Sequence, residues 1–459
     1  MSLRQAAQVV DDALSRAGGD DCIVIVEDSD EAEVRFANNT TTTNGRRRDR
    51  RVVVIRFAQV QGGISAGVAS SSGDVDLGSL LDAAAADAAG SPPSWDVADL
   101  LGGEADNDFE ADVPEAELQG LTGVIDGLRG AFDAAEAVGH VLAGIVEHRM
   151  DTVHLGSSTG LRRRHSQPSE AMQMIARARD GRQSAWAGRA GDLSSVEGTE
   201  LEAHLAKRLG WARRTESLPP GRYEVVLPPE AVADLMVDLT NYASGQDALD
   251  GRTVFSAQGG GTRIGERLSR LPFDLYGDPA EPGLECIDFA VAGASSSDAS
   301  VFDNGAPIGR TAWLDKGTLA NLRFHRAGAR RADVSFCPYV DNLVLDLDGS
   351  RGTVEDLVAH TSRGLLLTAL WYIREVDPST LLLTGLTRDG VYLIEGGEVV
   401  GAVNNFRFNE SPVDLLARTI EAGTPARALG REFGEWANRA KMPPLRVADF
   451  NMSTTSEAS

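Results

Sequence analysis

The sequence predicts an α+β protein in two parts, a mixed α/β unit over residues 1–218 and a β-rich barrel or sandwich over 219–459. Three observations predict it. A chain of 459 residues exceeds what one hydrophobic core usually organises. Runs rich in β-branched residues recur in both halves, while the long helical patterns crowd the first. Pro219-Pro220-Gly221 then punctuates the chain between a helical and an extended pattern.

In order, Leu3, Ala6, Val10 and Leu14 recur at helical spacing and stop at Gly18-Gly19, predicting an amphipathic first helix. The segments "CIVIVED", "EVRFAN" and "RRVVVIRFA", parted by turn formers, read as an antiparallel meander. "GGISAGVASSS" adds a strand and "DLGSLLDAAAADAAG" a helix. Residues 90–120 are acidic and rich in Pro and Gly, which predicts a long loop and the least ordered part of the chain. A helix through "GVIDGLRGAFDAAEA" leads to strands around "GHVLAGIVEHRM", "DTVHLGSS" and "EAMQMIARA", then to a helix through "VEGTELEAHLAKRLGWARR". Past the boundary, "RYEVVLP" is a strand and "PEAVADLMVDLTNYAS" a helix with Pro229 in its first turn. Short strands follow. Asp389-Gly390 and Gly396-Gly397 flank "VYLIE" and suit hairpin turns, and the tail "NMSTTSEAS" is expected to fray.

Composition narrows the function. A formal charge of −24 repels polyphosphate, so nucleic acid is not expected as a partner. Three cysteines, Cys22, Cys286 and Cys337, lie far apart without CxxC spacing, which fits a reducing cytoplasm rather than a disulfide framework. The longest apolar run, near "GLLLTALWYI", falls short of the roughly 20 residues a bilayer requires, and the N-terminus lacks a secretory pattern.

Searching for chemistry yields little. None of the seven histidines has a second His four or five residues away, and Glu147-His148 reads as a surface pair rather than a ligand set. The three lysines, Lys207, Lys316 and Lys441, follow Ala or Asp, which excludes a Walker A loop. "QGGGTRIG" reads as a loop or hairpin turn, and Ser295 to Ser297 lack a nucleophile elbow. Arg46 to Arg51 form a basic run that reads as the polar end of a hairpin rather than an anion patch. A Cys337–His325 pair is conceivable, but a buried strand cysteine is the plainer reading.

Taken in order, "GRYEVVLPPEAVADLM", "GRTVFS", "GERLSRLPFDLYGDP", "VFDNGAPIGRTAWLDKGTLANLRFHRAGA", "DNLVLDLDGS", "SRGLLLT", "GLTRDGVYLIEGGEVVGAVNNFRFNES" and "PPLRVADFNM" resemble the TldD/PmbA family of metalloprotease subunits. "EVRFANN" and "GSSTGLRRR" extend the resemblance, more loosely, over nearly the whole chain. It implies a pair of related subunits. A TldD-type chain holds zinc through His-Glu-x-x-x-His and a late cysteine, and a TldE/PmbA-type chain lacks that set. Anchored on Gly251 and Thr253 to Ser256, the motif falls on Met236, Val237 and Asn241, and no cysteine follows Cys337. A thioether and an amide do not replace two imidazoles around Zn²⁺, and valine carries no proton. Val232, Leu235, Leu239 and Tyr242 still give the helix an apolar stripe.

The resemblance therefore implies a non-catalytic, cytoplasmic companion of a TldD-like zinc protease acting on unfolded peptides, with no cofactor in this chain. No catalytic, cofactor-binding or metal-binding residue is assigned to it. A homodimeric peptide-binding protein is the rival, and a cysteine hydrolase using Cys337 a weaker one. Arg222, Asp303 and Arg363 read equally well as cavity residues or as structural ion pairs at turns.

Overall fold

The structure is a computed structural model that describes residues 4–19, 21–116, 121–181, 183–435 and 437–456; Leu3 and residues 117–120 lie outside that range. The first helix, α1 (Ala6–Arg16), buries Ala6, Val9, Val10 and Ala13. It packs on a six-stranded antiparallel sheet of β1 (Cys22–Ala37), β2 (Thr40–Val60), β3 (Gly63–Ser72), β4 (His140–Ser157), β5 (Arg162–Ala178) and β6 (Ser184–Ala190), in the order β3-β2-β1-β4-β5-β6. Helices α2 (Leu77–Gly90), α3 (Thr122–Val138) and α4 (Gly198–Trp211) cover the same side.

Two expected breaks are absent. "CIVIVED" and "EVRFAN" are one strand, β1, and "GHVLAGIVEHRM" and "DTVHLGSS" are one strand, β4. Their polar centres look like turns in the sequence. In the ladder, Asp28 pairs with Arg50 and Asp30 with Arg48, so charges on facing strands neutralise one another and the strands run on. The turn lies at Asn38-Asn39, both with positive φ, between β1 and β2.

Alternation along β1 and β4 decides which face meets what. Val24, Val26, Leu142 and Val146 point to the helices. Ile23, Ile25 and Leu155 point the other way and pack on Phe289, Val301 and Phe302 of the second half. Between residues 91 and 116 there is no helix or strand, as expected, but the segment is anchored: Phe109 and Ala116 are buried, and Ala105 bridges to Arg162.

The second half begins with β7 (Thr215–Glu216), β8 (Gly221–Leu227), α5 (Pro229–Asn241) and α6 (Gly245–Leu249). Then come β9 (Asp274–Gly277), β10 (Thr311–Asp315), β11 (Thr318–Leu319), α7 (Arg326–Ala332), β12 (Leu343–Asp346), α8 (Val354–Ala359) and β13 (Arg363–Leu367). After these run β14 (Leu370–Asp377), β15 (Leu382–Thr387), β16 (Val391–Glu395), β17 (Glu398–Val403), β18 (Phe406–Glu410) and α9 (Pro412–Arg418). The chain closes with β19 (Thr419–Ala422), β20 (Ala426–Ala428), β21 (Ala440–Met442) and β22 (Leu445–Thr455). One sheet runs β11-β10-β9-β12-β21-β20; the other runs β14-β15-β18-β22-β8-β13-β16-β17-β7, with β19 beside β22.

The protein is thus α+β with β-rich architecture, and α5 sits between the two later sheets. It packs against β20 and β21 of one and β8 of the other, within a single core that takes in Leu275, Leu314, Leu345, Val225, Leu365 and Phe406. Gly396-Gly397 makes the expected hairpin turn between β16 and β17, both residues having positive φ. Asp389-Gly390 does not, because β15 pairs with β14 and β18 rather than with β16. Of the tail expected to fray, Asn451 to Thr455 are held in β22 by pairing with β8 and β18, and residues 457–459 lie outside the described residues. Among the described residues no helix is long and apolar enough to cross a membrane.

Candidate functional site

Helix α5 carries the positions where the sequence pointed to a lost metal set. Its stripe was expected to bury one side, yet every residue from Ala231 to Thr240 is buried, because sheets flank the helix on both sides. Met236 lies wholly within the core. Val237 lines a pocket of about 20 Å³ with Trp313, Tyr339 and Arg439. Asn241 is exposed, and Arg323 donates to its backbone carbonyl. One apolar thioether, one branched alkyl group and one outward amide do not form a donor set for Zn²⁺.

Burial of the whole helix forces its polar residues to find partners. Asp234 accepts backbone N–H bonds from Arg431 (2.9 Å), Glu432 (3.1 Å) and Phe433 (3.1 Å). Its burial pushes the carboxyl up to about 8 against the pull of those three donors. One turn later Asp238 is pushed up to about 7, first by burial and then by the charge of Glu432. Its Oδ2 is buried without a donor among the described residues.

A cavity of about 630 Å³ opens between the sheet face of the first half and Glu435, Asn438 and Arg439. On β1, β4 and β5 it is lined by Glu31, Arg35, Glu147, Arg149, Asp151, Glu170 and Gln173, and across from them by Asp341, Glu435, Asn438 and Arg439. Each arginine already has an acid: Arg35 binds Glu33 (2.9 Å), Arg149 binds Asp151 (2.8 Å) and Arg439 binds Asp341 (2.9 Å). Among the described residues Glu31, Glu147 and Glu435 have no ion-pair partner. Burial, followed by the charges of Glu31 and Glu435, pushes Glu147 up to about 7. A second cavity of about 280 Å³, lined largely by apolar groups such as Phe289, Val291, Phe336 and Pro338, shares Asp341 with the first.

The other sequence candidates resolve into structural roles. Cys337 bridges Phe324 through backbone hydrogen bonds, and its thiol, buried in the core, is pushed up to about 12. His325, next along from Phe324, therefore faces the opposite side; it accepts from the Gly328 N–H (3.1 Å) and packs edge-on against Trp95. Ser295 donates to Asp96, Ser296 to Asp298 and Ser297 to Asp247. "QGGGTRIG" closes a tight turn in which Ala257 donates to Gly261 and Gly260 to Ala257. Glu147 and His148, neighbours in β4, point to opposite faces, and Glu147 lines the cavity rather than the open surface. Arg46, Arg48 and Arg50 are spent on Asp28, Asp30 and Glu115. Asp303 is both the buried partner of Arg326 (2.8 Å) and a lining residue of the second cavity, while Arg222 and Arg363 stay outside both cavities, at Asp449 and Glu395.

What the sequence reading missed is the cavity wall. Its one available signal is the charged alternation in "EDSDEAEVR" and "VEHRMD", which places Glu31, Glu147 and Arg149 on one face once β1 and β4 are aligned.

Residues 220–454 match the family model of the PmbA/TldA metallopeptidase C-terminal domain. The fold is similar to TldE from Thermococcus kodakarensis, with TM-score 0.78 and 16% identity over 97% of this chain and 99% of that one. It is also similar to a protein from Thermotoga maritima described as a candidate modulator of DNA gyrase, with TM-score 0.76 and 15% identity over 97% and 99%. A protein so described from Bacteroides thetaiotaomicron gives TM-score 0.72 and 14% identity over 97% and 98%. No curated protein matches the sequence.

Proposed function

Since this chain belongs to the PmbA/TldD family, we propose that it is a companion subunit of a TldD-like zinc protease, supplying cavity wall and interface while its partner cuts peptide bonds. The observation that carries this reading is the fate of α5: the helix is retained, but Met236, Val237 and Asn241 offer neither ligands nor a proton carrier. The likeness in fold to TldE supports it. On this reading the zinc resides in the partner, and the complex works in the cytoplasm on unfolded peptides.

Co-expression with a TldD-like chain from the same genome tests it. The pair should co-purify, and cleavage of an unfolded peptide should exceed that of the TldD-like chain alone. Unchanged cleavage without co-purification rejects it, and a stable homodimer by native mass spectrometry that does not exchange with the partner supports the rival binding protein.

A further inference from the structure

The smaller cavity, of about 280 Å³, has the size and chemistry of a socket for one side chain. It falls just below the roughly 300–1,000 Å³ of sites that enclose a whole drug-sized ligand and lies far above the ~30 Å³ share of one water. Its lining is mainly apolar: Phe289 is fully buried, Ile287, Val291, Phe336 and Pro338 keep part of their surface, and Tyr339 is 45% exposed. Three acids border it, and each has an arginine: Asp298 with Arg323 (2.7 Å), Asp303 with Arg326 (2.8 Å) and Asp341 with Arg439 (2.9 Å). A charged occupant would break one of these pairs or stand uncompensated, whereas a neutral apolar one displaces water from carbon surface. Arg323 also fixes where the socket lies. Its backbone N–H donates to the Ala243 carbonyl (2.7 Å) and its guanidinium to that of Asn241, so the pocket adjoins the C-terminal end of α5. Asp341 belongs to its wall and to that of the larger cavity.

We propose that this pocket receives one bulky apolar side chain, of the Phe or Leu class, from an extended peptide lying in the adjoining cavity, and so selects the residue seated beside the end of α5. The proposal rests on the companion reading for the peptide as ligand and names the residue class which that chamber prefers. Burial supplies the selectivity. A Phe ring leaves water on entering, a Ser brings almost no apolar area, and a Lys or Glu meets a border whose charges are already paired.

The test titrates the full-length chain into fluorescein-labelled ten-residue peptides of Gln and Thr that differ only in one central residue, Phe, Ser, Lys or Glu, read by fluorescence anisotropy. The Phe peptide should bind about tenfold more tightly than the Ser peptide, the factor that one buried aromatic side chain supplies, and the Lys and Glu peptides no better than the Ser peptide. Ala299→Trp, which puts an indole into the pocket, should bring the Phe peptide down to the level of the Ser peptide. Phe336→Ala, which strips one wall, should cost the Phe peptide several-fold and serves if the first variant does not fold. Equal affinity for the Phe and Ser peptides, no binding of any, a preference for Lys or Glu, or a Phe preference that survives in folded variants overturns the proposal. Octanoate that binds, by calorimetry, while the peptides show no Phe preference assigns the pocket to a free acyl chain and overturns it as well. Because these titrations use the chain alone, a failed co-purification with the TldD-like partner does not alter what they decide, and the reverse also holds.

Discussion

Asp234 on α5 and Gly430 in the 429–434 loop approach so closely that a Cβ on Gly430 would lie 2.3 Å from Oδ1 of Asp234. The contact exists because the carboxylate gathers the N–H groups of residues 431, 432 and 433, which requires the chain to pass directly over it. Losing the carboxylate leaves three buried donors unmet. Asp234→Ala should therefore cost about 3 kcal/mol or more in urea unfolding, and Gly430→Ala should cost a comparable amount by driving the carboxylate off its donors. A cost below about 1 kcal/mol for both would show that the loop is not tethered this way.

Helix α5 should not accept the acid that a zinc protease needs. Val237 faces a pocket of about 20 Å³ among Trp313, Tyr339 and Leu343, with room for barely one water and none for a solvated carboxylate. Val237→Glu should lower stability by about 3 kcal/mol in thermal or denaturant melts. A near-neutral result would mean the pocket opens and the helix still borders a usable chamber.

Stability should respond to acid through His154. It is 1% exposed beside Phe109, with Arg164 and Arg50 near it, and burial first, then Arg164, lowers it from 6.5 to about 4. The unfolded chain takes up that proton first, so the contribution is complete above pH 6.5 and fades as pH falls towards 4, amounting to about 2–3 kcal/mol. His154→Phe should flatten the acid limb of the stability curve, and an unaltered limb would assign it to other groups.

Glu147 should act with the opposite sign. Its folded value of about 7 exceeds the ordinary 4.5, so the folded chain holds the extra proton and loses stability as pH rises between those values. Water entering the cavity screens the charge and limits the effect to about 1 kcal/mol. Glu147→Gln should match the parent at pH 4 and exceed it by that amount at pH 8, as measured by chemical denaturation.

The cysteines should be silent. Cys22, Cys286 and Cys337 are all buried, and burial pushes the Cys286 and Cys337 thiols up to about 12. Ellman's reagent at pH 8 should detect no thiol until the protein unfolds. Rapid native reaction at Cys337 would revive the hydrolase reading.

The sequence by itself determined the fold class, the positions of the main helices and the chemistry that Met236, Val237 and Asn241 cannot perform, because periodicity and side-chain identity are local properties. It misjudged Ser29 to Ala32 as a break because Arg48, which pairs with Asp30, and Arg50, which pairs with Asp28 beside it, lie a hairpin away. It saw one apolar stripe on α5, since a second covering sheet leaves no mark in the helix's own pattern. The cavity was decided only by tertiary structure: Glu31, Glu147 and Glu435 lie far apart along the chain, and only strand pairing plus docking of the second half brings their charges around one void.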